Sequence, residues 1–186
     1  FTADFGAKTL NKFVTYVAGR KKFTYVNSGL ATVYDTGMSP DVAGCFARTA
    51  KSDNIWISPA GFTRGRILNV LYLTQKFSDS DISYFTASGV NPISSIPGEG
   101  TFFLSNTTSL VTSNASTAAL NIMMLSLYVK KELTKVLKQY LFEINDAATR
   151  LQVINSATPV MNGILANNGI SSYTLICNES NNTTAV

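Results

Sequence analysis

The 186-residue sequence predicts an α/β fold of the α+β kind: a mixed β-sheet covered by helices, with a β-hairpin at its N-terminal end. Three observations carry this expectation. Hydrophobic residues make up 45% of the chain, enough to bury a core at a length that suits one domain and a fragment of a second. Short β-branched and aromatic runs alternate with stretches of helical periodicity, the pattern of strands separated by helices. The chain carries no internal repeat.

From Phe13 to Val26, FVTYV-AGRKK-FTYV places two strand-forming runs around a glycine-containing turn and predicts the hairpin. A helix over Lys8 to Val17 is the alternative. Ser39-Pro40-Asp41 is a helix start, with a capping hydroxyl, a proline where no N–H is needed and an acid near the positive helix end. That helix is expected to reach about Ala50, with Val42, Cys45, Phe46 and Ala50 inward. Lys51 to Gly65 is a loop holding the only tryptophan, and Ile67 to Thr74 is apolar enough for a central strand.

Ser78 caps a short helix through about Ala87. Around Gly98, PGEGTFFLS is a turn into another short strand, and Ser105 to Thr117 has the composition of a surface loop. The strongest helical signal runs from about Ser116 to Phe142. Val129, Leu133, Val136 and Tyr140 form one apolar stripe, with Lys131, Lys135 and Lys138 on the opposite side. The first half, ALNIMMLSLYV, is apolar nearly all round and is expected to be buried on several sides. A further helix covers Asp146 to about Asn168, broken or kinked at Pro159 and closed by Gly169. Tyr173 to Cys177 is the last strand.

Only 14% of the residues are charged, against roughly 25% in soluble domains, so much of the surface is expected to be hidden by assembly. Histidine is absent, which removes the commonest general base and metal ligand. Cys45 and Cys177 lie too far apart to suggest a redox pair and cannot make a zinc site. Those facts exclude a Ser-His-Asp triad and a zinc fold within this chain. Paired acids are confined to Asp79 and Asp81, where helix-start duty accounts for them. Pro97-Gly98-Glu99-Gly100 lacks the ending of a phosphate loop. The expectation is a protein that is not an enzyme and needs no cofactor or metal.

The charge is uneven: ten basic and four acidic residues through Lys76, then five basic and seven acidic. The longest basic run, Arg20-Lys21-Lys22, is shorter than nucleic-acid modules carry, so no direct nucleic-acid contact is expected. No stretch reaches the roughly 18 apolar residues of a membrane span, so no membrane insertion is expected. The N-terminus has neither a Met start nor a signal-peptide pattern, and the expectation is a chain that begins inside a larger polypeptide. Asn106, Asn114, Asn178, Asn181 and Asn182 open N-x-[ST] matches that arise readily in so Asn-, Ser- and Thr-rich a chain.

Several segments, in order, resemble the C-terminal, tube-proximal region of contractile tail sheath proteins from myovirus-type bacteriophages. In SPDVAGCFARTAKSDNIWISPAGFTRGRILNV, the residues that carry the likeness are Ala43, Gly44, Ala47, Arg48, Thr49, Trp56, Ser58, Pro59, Ala60, Gly61, Arg64 and Gly65. Farther on come Asn91-Pro92-Ile93 with PGEGTFFLSNTTSL, then LFEINDAATR, then YTLICNESNNTT. Two departures stand out. Met123-Met124 replaces an arginine pair on the long helix, and the chain stops shortly after the "NNT" segment.

The resemblance implies a structural subunit that polymerises as stacked hexameric rings around a tail tube and contracts to drive the tube through a host envelope. It implies a virion location after assembly in the host cytoplasm. Implied partners are sheath subunits exchanging strands, the tail tube protein, and baseplate and tail terminator proteins. Residues 1–36 are then the end of a preceding domain or a connecting hairpin, 37–178 the sheath core domain, and 179–186 the start of a C-terminal arm. Trp56, Pro59, Gly61, Arg64 and Gly65 are expected to be structural. The expected tube contacts are Lys130, Lys131, Lys135 and Lys138. The alternatives are the sheath of a bacteriocin or secretion-type injection machine, and a basic module for an acidic partner using Arg20 to Lys22.

Overall fold

The computed structural model describes residues 11–110 and 118–182. The chain divides into two compact units, Phe1–Met124 and Leu125–Val186.

The first unit holds two three-stranded sheets. One has the order β1-β5-β6, with β1 (Tyr16–Ala18) parallel to β5 (Val90–Ile96) and β5 antiparallel to β6 (Gly100–Phe103). The other is antiparallel with the order β3-β2-β4, from β2 (Arg20–Asn27), β3 (Leu30–Gly37) and β4 (Tyr72–Leu73). The expected N-terminal hairpin is present but lies one element later than Phe13–Val26. Its turn is Ser28-Gly29, with φ of +50° and +83°, the pair of left-handed residues that suits a two-residue hairpin. Gly19 is instead the bend where the chain leaves one sheet for the other. A Cβ there would come within 3.3 Å of both Ile93 and Met38, at φ +136°. The alternative helix over Lys8 to Val17 lies partly outside the described residues, and its end is β1.

Helix α1 (Ser39–Ser52) carries Pro40 in its first turn, as its sequence requires, but its cap position is Met38, without a side-chain cap bond. Its buried residues are Val42, Cys45 and Thr49, with Phe46 half-buried. Ala50 is exposed, because the 3.6-residue turn brings Thr49 under Cys45. There the Thr49 hydroxyl donates to the Cys45 carbonyl, which removes the cost of burying it. Met38, Val42, Cys45, Ile67, Leu73, Ile93, Phe103 and Leu120 form the core, and Val17, Phe46, Ala60 and Val70 pack against it.

The strand expected over Ile67 to Thr74 shrinks to β4. Asn69, at φ +52°, breaks the extended path, so the segment joins β2 only at its end, through Leu71 N–H to Lys22 O and Thr74 N–H to Arg20 O. Helix α2 (Asp79–Ala87) follows its expected cap: the Ser78 hydroxyl accepts from the Asp81 N–H, and the Asp81 carboxylate accepts from the Ser78 N–H. Strand β5 was not expected, since proline and serine interrupt its apolar pattern.

Helix α3 (Leu120–Leu137) ends in a one-turn 3-10 helix, Lys138–Tyr140, and stops before the expected Phe142, which stands at φ +73°. The start expected at Ser116 falls outside the described residues. Its first half is not buried on several sides. Leu120 and Met123 are buried, while Ile122 and Leu127 face solvent.

In the second unit, α4 (Ala147–Ala166) runs unbroken through Pro159 and is capped by Asp146, whose carboxylate accepts from the Thr149 N–H at 2.7 Å. The left-handed residue at its end is Asn168, at φ +57°, rather than Gly169. Tyr173 to Cys177 is extended, with every second residue half-buried, yet forms no strand because it meets no partner strand among the described residues.

Candidate functional site

The segment that carries most of the sequence likeness folds into a clasp around β6. Gly61, at φ +100°, donates its N–H to the Phe103 carbonyl at 2.9 Å. The Gly65 N–H then donates to Gly61 O at 2.8 Å, and the Phe103 N–H returns to Gly65 O at 2.7 Å. The two backbones approach so closely that only glycine fits at 65. A Cβ would press on the Phe103 carbonyl oxygen and lie 2.7 and 2.8 Å from Gly61 O and N. A further bond, from the Ile67 N–H to Thr101 O at 2.9 Å, continues the seam, and Pro59 of the same loop is fully buried.

Two arginines lock the clasp to α1. The Arg48 guanidinium donates to Arg66 O at 2.6 Å and to the Cys45 Sγ at 3.2 Å. Arg64 pairs with Asp53 at 2.7 Å, and that hydrogen bond holds the Asp53 carboxyl below its ordinary value. Burial pushes the Cys45 thiol up despite the neighbouring Arg48, so it stays an inert core thiol. Trp56 is buried in the same loop. Of the five expected structural residues, Gly61 and Gly65 meet at the seam, Pro59 and Trp56 are buried in the loop, and Arg64 braces its far end.

Asn91 forms a second knot. It is fully buried, and its amide donates to Tyr16 O at 3.1 Å and Thr107 O at 2.8 Å. Its Oδ1 accepts from the Thr107 N–H and hydroxyl, both at 3.0 Å. One side chain thus ties β1, β5 and the loop after β6 with all four of these bonds made. Lys21 is a third tie: its Nζ, almost completely buried, meets Asp41 at 2.6 Å and Leu68 O at 2.9 Å. By sequence Lys21 belongs to the basic run Arg20 to Lys22, the stretch of the alternative module for an acidic partner; its burial inside the unit takes it out of such a surface. The available signal is its spacing from Phe23, two residues on, which the period of a strand puts on the same face.

Lys130, Lys131, Lys135 and Lys138 are all exposed. At about 100° per residue, Lys131, Lys135 and Lys138 fall within roughly 60° of one another, and Lys130 lies about a quarter-turn away. The half-buried stripe of Val129, Leu133, Val136 and Tyr140 lies opposite the trio. Lys135 is paired with Glu132 at 2.6 Å. Among the described residues, no three His, Cys, Asp or Glu side chains gather as metal ligands, and no helix is long and apolar enough to cross a membrane.

The first unit is thus tied together by the clasp, the Asn91 knot and the Lys21 pair, and the second carries the lysine row. No family model matches the chain. It is similar to the tail sheath protein of Enterobacteria phage T4, at 30% identity over 149 residues, 80% of this chain and 22% of that protein. The tail sheath protein of Vibrio phage KVP40 is 28% identical over 145 residues, 78% of this chain and 22% of its own. The chain thus spans about a fifth of the length of the curated relatives it matches. The sheath complex of an extracellular contractile injection system in its contracted state superposes with a TM-score of 0.75 at 16% identity, covering 94% of this chain and 46% of that one. The sheath tail protein Lin1278 from Listeria innocua gives 0.67 at 12%, covering 89% and 38%. The resemblance to phage tail sheath proteins therefore holds over most of the chain, and the fold is that of contractile sheath subunits.

Proposed function

We propose that this chain is the tube-proximal part of a contractile phage tail sheath, a structural subunit rather than an enzyme. In this reading it polymerises as stacked hexameric rings around a tail tube and contracts to drive the tube through the host envelope. The observation that carries it is the 30% identity to a tail sheath protein across 80% of the chain. Residues 1–36 act as the connection from a preceding domain, 37–178 as the core and 179–186 as the start of an exchanging arm. The subunits assemble in the host cytoplasm, reside in the virion, and meet the tube, baseplate and tail terminator proteins. The sheath of an injection machine is the second reading, favoured by the fold match to an injection-system sheath. The sequence relatives favour the phage.

The sheet supplies a place for strand exchange. One side of β6 is occupied by the Gly65–Ile67 seam, whereas β1 is an edge strand among the described residues, flanked by a groove of about 510 Å³ lined by Val17, Gly19, Phe77 and Phe85. An arm added at that edge gains main-chain hydrogen bonds that survive rotation of one subunit against another. Lys131, Lys135 and Lys138, with Lys130 beside them, grip an acidic tube surface. Exposed pairs are worth about 0–1 kcal/mol each, so a row of them holds yet releases. The test is electron microscopy of the parent polypeptide mixed with tubes. Striated sheaths are expected, and Lys131→Glu with Lys135→Glu abolishes decoration at moderate salt. Unchanged decoration removes the tube assignment, and a monomer with both arms intact removes the sheath reading.

A further inference from the structure

The turn between the 3-10 helix and α4 holds large apolar side chains out into solvent. Leu141 is 63% exposed, Ile144 78%, and Phe142 entirely. Phe142 stands in the left-handed region, which a bulky residue adopts only where its surroundings over-determine it. Here they do. Leu141 and Glu143 donate their N–H groups to Lys138 O and Tyr140 O, both at 3.3 Å, and the Asp146 N–H donates to Ile144 O at 2.9 Å. The Tyr140 hydroxyl anchors the near end on Gln152 O of α4, and the Asp146 cap fixes the far end. The result is a braced knuckle, not a frayed loop. It also carries Glu143, which makes no ion pair among the described residues.

The same unit contains a groove of about 660 Å³. One wall is a single face of α4, Ala147, Arg150, Leu151 and Ile154, and the other begins at Cys177 and includes Glu179. The Arg150 side chain is largely buried, and one of its guanidinium nitrogens donates to Asn145 Oδ1 at 3.2 Å. It stands 3.7 Å from Glu179, whose own side chain is 90% exposed. The groove thus has an apolar α4 wall in Ala147, Leu151 and Ile154, a polar rim, and one cation whose acidic partner stands at a long 3.7 Å. The knuckle is apolar with one unpaired anion.

We infer that the Leu141–Ile144 knuckle of one copy of this chain docks in the α4 groove of a second copy. Phe142 packs against Leu151 and Ile154, and Glu143 takes Arg150 from Glu179. Donor and acceptor are different surfaces of the same polypeptide, so the contact is heterologous and propagates from copy to copy. The inference stands on this chain's own surfaces and does not rest on the tube or strand-exchange reading.

Cys177 makes the contact testable. It is the half-exposed thiol on the groove wall, whereas Cys45 is buried. In the full chain at high concentration with a mild thiol oxidant, Phe142→Cys is expected to give disulfide-linked dimers and higher multimers. The linkage should map by mass spectrometry to position 142 of one copy and Cys177 of the next. Adding Cys177→Ser should abolish the multimers. Multimers that survive Cys177→Ser, or no cross-linking at all, overturn the inference. As an independent arm, Glu143→Arg and Arg150→Glu are each expected to weaken self-association about tenfold, and the double exchange to restore it. Losses that simply add in the double variant also overturn it. Cross-linking without sheath formation would remove the sheath reading alone.

Discussion

Gly65→Ala is the substitution that most directly tests the clasp. A methyl group there meets main-chain atoms of Phe103 and Gly61, which no side-chain rotamer can move aside. The strand and the loop must separate, and three main-chain bonds of 2.7–2.9 Å close that loop: Gly61 to Phe103, Gly65 to Gly61, and Phe103 to Gly65. Each is worth about 1 kcal/mol net, and forced overpacking adds about 1–3 kcal/mol, for an expected cost of about 4–6 kcal/mol. That is a large share of the roughly 5–15 kcal/mol that holds a domain folded. Trp56, the only tryptophan, lies in the same loop, so its fluorescence during urea denaturation reports this unit. With a slope of about 2 kcal/mol per molar, the midpoint should fall by roughly 2–3 M. Gly163→Ala is the control. No atom lies within 4 Å of its Cβ position inside α4, so it should stabilise its unit by about 0.5–1 kcal/mol, seen by circular dichroism. A Gly65→Ala midpoint within a few tenths molar of the parent would refute the argument that this close approach holds the clasp.

Asn91→Asp keeps the acceptor for Thr107 but turns a second oxygen toward Tyr16 O and Thr107 O, so two buried carbonyls lose their donor. The expected cost is about 3–6 kcal/mol by the same urea titration, partly recovered in acid, where the protonated carboxyl regains one donor. Acid should also loosen the helix starts. The hydrogen bond from Ser78 holds Asp81, and that from the Thr149 N–H holds Asp146, below the ordinary 3.8. Their unfolded forms therefore bind protons first, and the stability they lend is complete above pH 3.8 and lost as pH falls through the lower folded values. Urea midpoints followed by circular dichroism down through that window should decline, and Asp146→Asn should reduce the decline in α4, since asparagine caps without titrating.

How much of this was legible in the sequence depends on whether the information was local. The α2 capping box, the Pro40 helix start and the apolar stripe of α3 were readable because each is settled by residues within one or two turns. The hairpin was misplaced because Gly19 and Gly29 are both credible turn residues. What separates them is Gly19's contact with Ile93 and Met38, more than seventy residues away for Ile93. Ile67 to Thr74 has strand composition, yet Asn69 and the Lys21 bond to Leu68 O bend it away. Asn91 could be flagged only by resemblance, since a polar residue in an apolar run declares itself buried only once its partners are known. The Phe142 knuckle left no trace in composition, because its display is set by backbone conformation.

These ties share a property that the proposed contraction requires. The clasp, the Asn91 knot and the Lys21–Asp41 pair are largely buried, so salt and neighbour exchange scarcely reach them, and breaking any one costs about 3–6 kcal/mol. The proposed outward contacts are the reverse: exposed lysines worth about 0–1 kcal/mol each, with Lys135 already shared with Glu132 on its own helix. An assembly that re-packs its interfaces keeps its subunits intact only if the weakest interior tie outlasts the strongest single outward one. Here the margin is about 2 kcal/mol or more per contact, roughly thirtyfold in equilibrium terms. It follows that the energy of a contracting lattice of such subunits resides in the number of interfaces exchanged rather than in distortion of the fold.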